Sequence, residues 1–215
     1  MRLYLSSYQL GDHAQVLAQL VGGRGRGLVI MNALDGYDEE RRRRDSLVQM
    51  AALGELGLEA ADLDLREHDP SSIAEAVGQP DFLWVRGGNV FTLRMALARS
   101  GMDRLIVAGL HRDAFVYAGF SAGPCVLAPS LAGLELCDPV EDCMAAYGAV
   151  RRDGLGVLDR PVVPHLDSPE HPETRLLGEV AAQYDREGQP YWALRDGEVL
   201  VVDGAGSTVL SGVHD

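Results

Sequence analysis

Short apolar runs alternate with amphipathic segments along most of this chain, and this alternation limits the possible fold more than any other feature of the sequence. The runs are apolar at nearly every position, which is typical of strands in a parallel sheet that is covered by helices on both faces. Six such runs predict strands: Leu3–Leu5, Leu28–Met31, Ala60–Leu65, Phe82–Val85, Ala114–Ala118 and Val162–Val163.

The intervening segments predict helices, because their apolar residues recur three and four positions apart. The clearest run from Glu39 to Leu56, from Val90 to Ala98 and from Met102 to His111. Strands and helices in alternation predict an α/β fold, a doubly wound and mostly parallel sheet flanked by helices.

The residue pattern of the sequence changes after Tyr191. Asp-Gly and Gly-Ser turn signals bound two further apolar runs, Glu198–Val202 and Thr208–Leu210, which predicts a small antiparallel C-terminal extension of the sheet. No linker divides the 215 residues, so we expect residues 1–215 to form a single domain.

The charge balance excludes several classes of partner. The chain has 19 basic and 32 acidic side chains, a formal net charge of −13. A field of that sign repels polyanions, so we expect neither nucleic acid nor an anionic membrane as a partner. The sequence holds no membrane-length apolar run, and only a short apolar stretch follows Met1 and Arg2, so we predict a cytoplasmic protein.

The three cysteines indicate reduced, intracellular thiols. Cys125, Cys137 and Cys143 are odd in number and show no CxxC spacing. The pattern therefore predicts neither a disulfide framework nor a zinc cluster.

The segment Gly119-Phe120-Ser121-Ala122-Gly123 carries the strongest chemical signal. It follows a predicted strand directly, and G-x-S-x-G between a strand and a helix is the pattern of a nucleophile elbow. Small flanking residues let the turn close, and the backbone N–H of Ala122 would face a developing oxyanion. The alternative is an ordinary turn in which Ser121 caps a helix.

A second loop joins a predicted strand to a predicted helix at Arg86-Gly87-Gly88-Asn89. Paired glycines allow backbone N–H groups to approach a ligand closely. The alternative is a plain turn in which Asn89 caps the following helix.

A serine nucleophile needs a base, and His165 is the best placed of the six histidines. It follows the predicted strand Val162–Val163, and sites of open α/β sheets gather at the carboxyl ends of strands. His165, Asp167 and His171 could instead form a metal cluster, but their spacing matches no helical ligand pair. Three carboxylates remain open as the group that orients the base: Asp138, Asp167 and Asp196.

Taken together, these motifs resemble the serine peptidases of family S51, which include dipeptidase E (aspartyl dipeptidase) and the larger cyanophycinases. The resemblance covers almost the whole chain. It is carried by Gly87-Gly88-Asn89-x-Phe91-x-Leu93, Gly119-Phe120-Ser121-Ala122-Gly123, Pro164-His165, Glu173-Thr174-Arg175 and Leu194-x-Asp196-Gly197.

The resemblance implies a fold like that of the class I glutamine amidotransferases, and a catalytic triad of Ser121, His165 and Asp196. Aspartyl dipeptidase has glutamate where this chain has Asp196, so a backbone shift or a water would be needed if the geometry were otherwise unchanged. Asp138 is therefore the reserve candidate for the triad acid. The implied oxyanion hole is formed by the backbone N–H groups of Gly88 and Ala122.

The resemblance also implies two substrate-binding residues, Asn89 and Arg175, the latter suited to an acidic substrate. The expected activity is hydrolysis of short peptides through an acyl-enzyme, with an acidic N-terminal residue preferred and no cofactor or metal required. Pro124, where aspartyl dipeptidase has a small residue, places a strict aspartyl preference in question. The alternatives are a cyanophycinase-like isopeptidase and a non-catalytic binding module. Family analogy and base rates predict a homodimer.

Overall fold

The computed structural model describes residues 1–204 and 206–213. Seven strands form the main sheet: β1 (Arg2–Ser6), β2 (Gly25–Ile30), β3 (Leu58–Asp62), β4 (Phe82–Val85), β5 (Val116–Phe120), β8 (Val199–Asp203) and β9 (Gly206–Leu210). Their spatial order is β3-β2-β4-β5-β1-β8-β9. The first five are parallel, and β8 and β9 extend the sheet in antiparallel fashion beyond β1. The predicted α/β architecture and the antiparallel extension are both confirmed.

The helices are α1 (Ala14–Val21), α2 (Glu39–Glu55), α3 (Ile73–Val77), α4 (Val90–Ser100), α5 (Met102–His111), α6 (Ala122–Cys125), α7 (Val140–Tyr147) and α8 (Thr174–Glu187). The helices predicted at α2, α4 and α5 are present. None of the described helices is long and apolar enough to cross a membrane.

Apolar side chains bury both faces of the sheet, as the doubly apolar runs predict. In β4, Leu83 and Val85 pack in the core shared with α4, α5 and α8, whereas Phe82 and Trp84 pack in the core beneath α1 and α2. Successive residues of a strand point to opposite faces, so one four-residue strand contributes to both cores. Helices cover both faces of the sheet. A site with polar side chains is therefore expected at the edge where the parallel strands end.

The carboxyl ends of three neighbouring strands meet at that edge. Ser6 at the end of β1 pairs in register with Phe120 at the end of β5, and Val85 at the end of β4 pairs with Gly119. The residues that follow these strands are therefore brought together, although they lie far apart in the sequence.

The short strand β6 (Val162–Val163) departs from the prediction because it lies outside the main sheet. It pairs in parallel with β7 (Trp192–Ala193), a strand that the sequence pattern did not predict. Pro161 and Pro164 flank β6 and have no backbone N–H to donate, which limits its pairing to one short ladder. The pair brings the segments after Val163 and Ala193 side by side.

Candidate active site

Ser121 lies in a sharp turn between β5 and α6. Its backbone has φ +55° and ψ −110°, a conformation that L residues rarely adopt, and its N–H donates to the carbonyl oxygens of Ser6 and Ser7 at 3.3 and 3.2 Å. The turn is closely packed, since a Cβ on either Gly119 or Gly123 would overlap the carbonyl oxygen of Val85. A strained serine at a strand-to-helix turn is the geometry of a nucleophile elbow.

The loop after β4 packs directly against this turn. A Cβ on Gly87 would lie 2.7 Å from the Cβ of Ser121, and one on Gly88 would lie 2.7 Å from the carbonyl oxygen of Ala33. Gly88 has φ +139°. Across the described residues, the backbone N–H groups of Gly88 and Ala122 donate to no acceptor, so both are available to a ligand.

His165 follows β6 after one proline, is 1% exposed and has φ +55°. Its ring Nδ1 lies 2.6 Å from Oδ1 of Asp196, and its backbone N–H donates to Oγ of Ser7 at 2.8 Å. These contacts fix both the ring orientation and the backbone position, and they leave Nε2 as the nitrogen that faces away from the carboxylate.

Asp196 lies in a turn closed by a hydrogen bond from Glu198 N–H to the carbonyl oxygen of Arg195, with Gly197 at φ +94°. The Asp-Gly pair therefore forms a turn, but not a hairpin, since β7 pairs with β6. Asp196 Oδ1 also accepts from Oγ of Ser7 at 2.8 Å. The aspartate meets His165 directly, so no water is needed to span the gap that its shorter side chain suggested.

The ionisation of Asp196 follows from these contacts. Burial alone would raise its pKa, but the hydrogen bonds and charge of His165, together with Ser7, outweigh burial and lower the pKa below the ordinary aspartate value. The group beside the His165 ring is therefore a carboxylate at neutral pH. It stabilises a positive charge on that ring.

Ser7 and Tyr8 join the two halves of the site. The Ser7 carbonyl accepts from Ser121 N–H, while its hydroxyl contacts both His165 and Asp196. The Tyr8 ring packs edge-on between Phe120, at 6.1 Å between ring centroids, and His165, at 5.9 Å. Neither residue was predicted as functional, although Ser6-Ser7 directly after a predicted strand was a usable signal.

His171 stacks on the ring of His165. The two imidazole rings are parallel, 2° apart in plane and 3.5 Å between centroids, and the Tyr8 ring lies 5.4 Å from the ring of His171. Burial lowers the pKa of His171, and the charge of His165 lowers it further, partly opposed by Asp196. A neutral His171 therefore covers one face of the His165 ring.

The candidate ligand atoms of His165, His171 and Glu173 lie within 4.8 Å of one another, which differs from the alternative cluster suggested by the sequence. Asp167 is not a member, since it pairs with Arg195 at 3.2 Å. Ring nitrogens bind metal in the plane of the ring, and two parallel stacked rings do not aim their lone pairs at one point. One ring would have to turn to complete such a site.

Asp138 and Asn89 both contact the start of α4. Asp138 Oδ2 accepts from Val90 N–H at 2.8 Å, so the structure brings Asp196 rather than the reserve Asp138 to the ring of His165. Asn89 caps α4, accepting from Thr92 N–H at 3.0 Å and donating to the carbonyl oxygen of Pro139 at 2.8 Å. Both ends of its amide are thus used inside the protein.

Arg175 lies in the first turn of α8, where its side chain is 74% exposed and pairs with Glu179 one helical turn later. The preceding residue, Thr174, accepts from the N–H of Ser168, whose hydroxyl in turn accepts from the N–H of Asp196. The start of α8 is therefore linked through Ser168 to the turn of Asp196, while the guanidinium of Arg175 is exposed to solvent.

The chain is similar to known peptidases. Residues 45–210 match the family model for peptidase family S51. An uncharacterised peptidase of Listeria monocytogenes is 29% identical over 65% of this chain and 65% of its own length. The peptidase E of Streptomyces coelicolor is 30% identical over 72% of this chain and 62% of its own length. These alignments thus span less than two thirds of either relative.

The fold is shared with solved structures. The crystal structure of a protein assigned to peptidase E from Listeria monocytogenes EGD-e superposes with a TM-score of 0.81 over 98% of both chains, at 22% identity. A peptidase from an acI-B1 actinobacterium superposes with a TM-score of 0.72 over 98% of this chain and 87% of its own. Because the family model covers well over half of the sequence and includes the segments of Ser121, His165 and Asp196, this chain belongs to peptidase family S51.

Proposed function

We propose that this protein is a serine peptidase of the dipeptidase E type, with Ser121 as nucleophile, His165 as general base and Asp196 as the carboxylate that orients the base. The observation that carries the proposal is the 2.6 Å contact between Nδ1 of His165 and Oδ1 of Asp196. It is supported by the strained turn at Ser121 after β5, because an activated serine requires a base that is itself held by a third group.

The proposed reaction uses each group in turn. A proton on Nδ1 of His165, donated to Asp196, leaves the lone pair of Nε2 to accept the hydroxyl proton of Ser121. The serine oxygen attacks the scissile carbonyl, and the amine leaves with a proton returned by His165. Water then adds to the acyl-enzyme with His165 again as base, which releases the acid and restores Ser121.

The backbone N–H groups of Gly88 and Ala122 are the proposed oxyanion hole. Ala122 follows Ser121 in the chain, and Gly88 follows Gly87, on which a Cβ would lie 2.7 Å from the Cβ of Ser121. Each of the two N–H groups lacks an acceptor across the described residues. Two preoriented donors stabilise the negative oxygen that forms only during the reaction. These steps need protein groups, peptide and water, so we propose no cofactor and no metal.

The proposed substrate is a short peptide with an acidic N-terminal residue preferred. In a chain of net charge −13, an acidic substrate needs a local cation. Arg175 is the cation implied by family resemblance, but its exposure and its pairing with Glu179 support only a weak contribution. Asn89 contributes by holding the loop of Gly88 rather than by contact with the substrate, since both ends of its amide are engaged.

Fluorophosphonate labelling read by mass spectrometry tests the proposal directly, because the probe reacts with an activated serine whichever peptide the enzyme cleaves. We expect one adduct on Ser121 in the unmodified protein, and none in Ser121→Ala with an unchanged denaturation midpoint. Ser71→Ala, at an exposed serine, serves as the matched control and should label normally. Absence of the adduct at Ser121, or normal dipeptide hydrolysis by Ser121→Ala, would refute the proposal.

Two expectations about the whole protein stay predictions: a cytoplasmic location and a homodimer. Light scattering coupled to size-exclusion chromatography at several concentrations measures the second directly. A mass near 23.2 kDa at all concentrations would contradict the dimer.

A further inference from the structure

Arg86, the residue between β4 and the paired glycines, bends its side chain back onto the loop that it begins. Its Nη1 donates to the carbonyl oxygen of Gly87 at 2.6 Å, and its Nη2 donates to Oδ2 of Asp45 on α2 at 2.9 Å. The guanidinium carbon lies 5.7 Å from the ring centroid of Phe120, the residue before the nucleophile. The side chain is 19% exposed.

The carbonyl that Arg86 holds belongs to the peptide unit that carries the N–H of Gly88. A trans peptide is planar, and its C=O and N–H point in opposite directions. A donor that fixes the oxygen on one side therefore fixes the N–H on the other. The hydrogen bond from Arg86 thus sets the direction of a donor that has no acceptor across the described residues.

This peptide needs an external restraint. Gly87 and Gly88 flank it, and neither has a Cβ to limit rotation of the unit; Gly88 adopts φ +139°, a region open chiefly to glycine. If the unit turned over, a carbonyl oxygen instead of an N–H would face the oxyanion. Close packing against Ser121 and Ala33 demands glycine at both positions, so side-chain bulk cannot supply the restraint.

We propose that Arg86 is a positioning residue for the reaction: anchored by Asp45, it holds the Gly87–Gly88 peptide so that the Gly88 N–H faces the oxyanion. The inference rests on the proposed function, since it acts through the oxyanion hole. A charged donor on the carbonyl oxygen also polarises the peptide and makes its N–H a stronger donor. Arg86 itself touches neither the substrate nor Ser121 in this role.

The test compares three variants with a matched control. Arg86→Met keeps the aliphatic stem and removes the donors. Arg86→Lys keeps the charge but has a single donor nitrogen, and Asp45→Asn removes the anchoring charge. Arg44→Met makes the same chemical change at an exposed arginine of α2. For each we measure the fluorophosphonate labelling rate at Ser121, kcat and KM on a dipeptide, inhibition by a peptide aldehyde, and the denaturation midpoint.

Arg86→Met should lower the labelling rate and kcat by about 10- to 100-fold, up to the loss seen when one oxyanion donor is removed. KM should change less than about threefold, and aldehyde affinity should fall in parallel with kcat/KM, because the aldehyde adduct carries the oxyanion and the bound substrate does not. Arg86→Lys should recover part of the rate, and Asp45→Asn should show a smaller loss of the same kind.

The outcomes separate the two proposals. If the unmodified protein neither labels at Ser121 nor hydrolyses peptides, the proposed function fails, and this inference fails with it. If the unmodified protein is active and Arg86→Met retains its kcat, or loses aldehyde and substrate affinity equally, only the role of Arg86 is overturned. If Arg86→Met fails to fold, Arg86→Lys and Asp45→Asn test the role of Arg86 instead. A loss of kcat with little change in KM supports the role, and an unchanged kcat in both variants contradicts it.

Discussion

The backbone N–H of His165 donates to the hydroxyl of Ser7 at 2.8 Å, which joins two residues 158 positions apart. The same hydroxyl donates to Asp196 at 2.8 Å, and the carbonyl of Ser7 accepts from the N–H of Ser121. One residue directly after β1 thus touches all three members of the proposed triad. Through these hydrogen bonds, Ser7 links the segments after β6 and β7 to the turn at Ser121.

Asp196→Asn should lower kcat on the order of 10⁴-fold with little change in KM. An amide at this position no longer favours the Nδ1–H tautomer, so Nε2 is not kept free to accept the proton from Ser121. Steady-state kinetics on a dipeptide measures the effect. Asp167→Asn, an exposed aspartate paired with Arg195, is the control and should retain normal kcat. Activity within tenfold of normal in Asp196→Asn would exclude this acid.

Ser7→Ala should lower both stability and rate. It leaves the buried N–H of His165 without its partner and removes one hydrogen bond from Asp196, which should cost about 1–3 kcal/mol in free energy of unfolding. We also expect a roughly tenfold loss of kcat. Chemical denaturation and kinetics give both values. Ser71→Ala is the matched control, and an unchanged kcat in stable Ser7→Ala would show that the link does not matter for the reaction.

Gly119→Ala should destabilise the fold strongly, by more than the ~1–3 kcal/mol typical of overpacking, because the added Cβ meets the backbone oxygen of Val85 and not a movable side chain. Gly178→Ala is the control in α8, where a Cβ would meet nothing within 4 Å. That change should stabilise the protein by about 0.5–1 kcal/mol. The denaturation midpoint should fall in Gly119→Ala and rise in Gly178→Ala. An unchanged midpoint in Gly119→Ala would contradict the close packing of the turn.

Asp138→Asn should stabilise the protein at high pH and have little effect at low pH. Burial raises the pKa of Asp138 to about 7, although the Val90 N–H opposes the shift. The folded state therefore binds this proton more tightly than the unfolded chain, whose aspartate pKa is about 3.9. The resulting stability is complete below that value and is lost as the pH rises through 7.

Thermal denaturation at pH 5.5 and pH 8.5 measures this difference. The amide oxygen of Asn can still accept from Val90 and does not ionise, so the advantage of Asp138→Asn should grow between the two values. At pH 8.5 we expect a higher Tm by at least about 2 °C, the shift that ~1 kcal/mol produces in a domain of this size. Asp203→Asn, at an exposed aspartate of β8, is the control, and an equal effect at both values would contradict the shift.

Arg175→Gln should reduce the preference for an acidic N-terminal residue less than about fivefold, because an exposed ion pair contributes at most about 1 kcal/mol. The measurement is the ratio of kcat/KM for an Asp-X dipeptide to that for its Asn-X counterpart. Arg186→Gln, in the last turn of the same helix, is the control. A loss of more than a hundredfold in the ratio would show that Arg175 leaves Glu179 and binds the substrate.

The sequence predicts that the strands exist more accurately than it predicts where they begin and end. The strand Phe82–Val85 has the predicted bounds, whereas the strand predicted at Ala60–Leu65 occupies Leu58–Asp62 and the one predicted at Ala114–Ala118 occupies Val116–Phe120. Apolar periodicity reports burial, and buried residues continue past the last ladder hydrogen bond, so the ends of strands are less well defined than their existence.

The sequence alone determined the chemistry available at each strand end: a serine between glycines, a histidine after a two-residue strand, and an Asp-Gly pair late in the chain. Local backbone preferences and burial patterns depend on residues that are close together in the sequence, so they can be predicted from a single sequence. Only the tertiary structure decided that Asp196 rather than Asp138 meets His165, that Ser7 joins them, and that Arg86 holds the peptide of Gly88. Those contacts depend on which strand ends become neighbours in space, and packing across the whole sheet sets that arrangement.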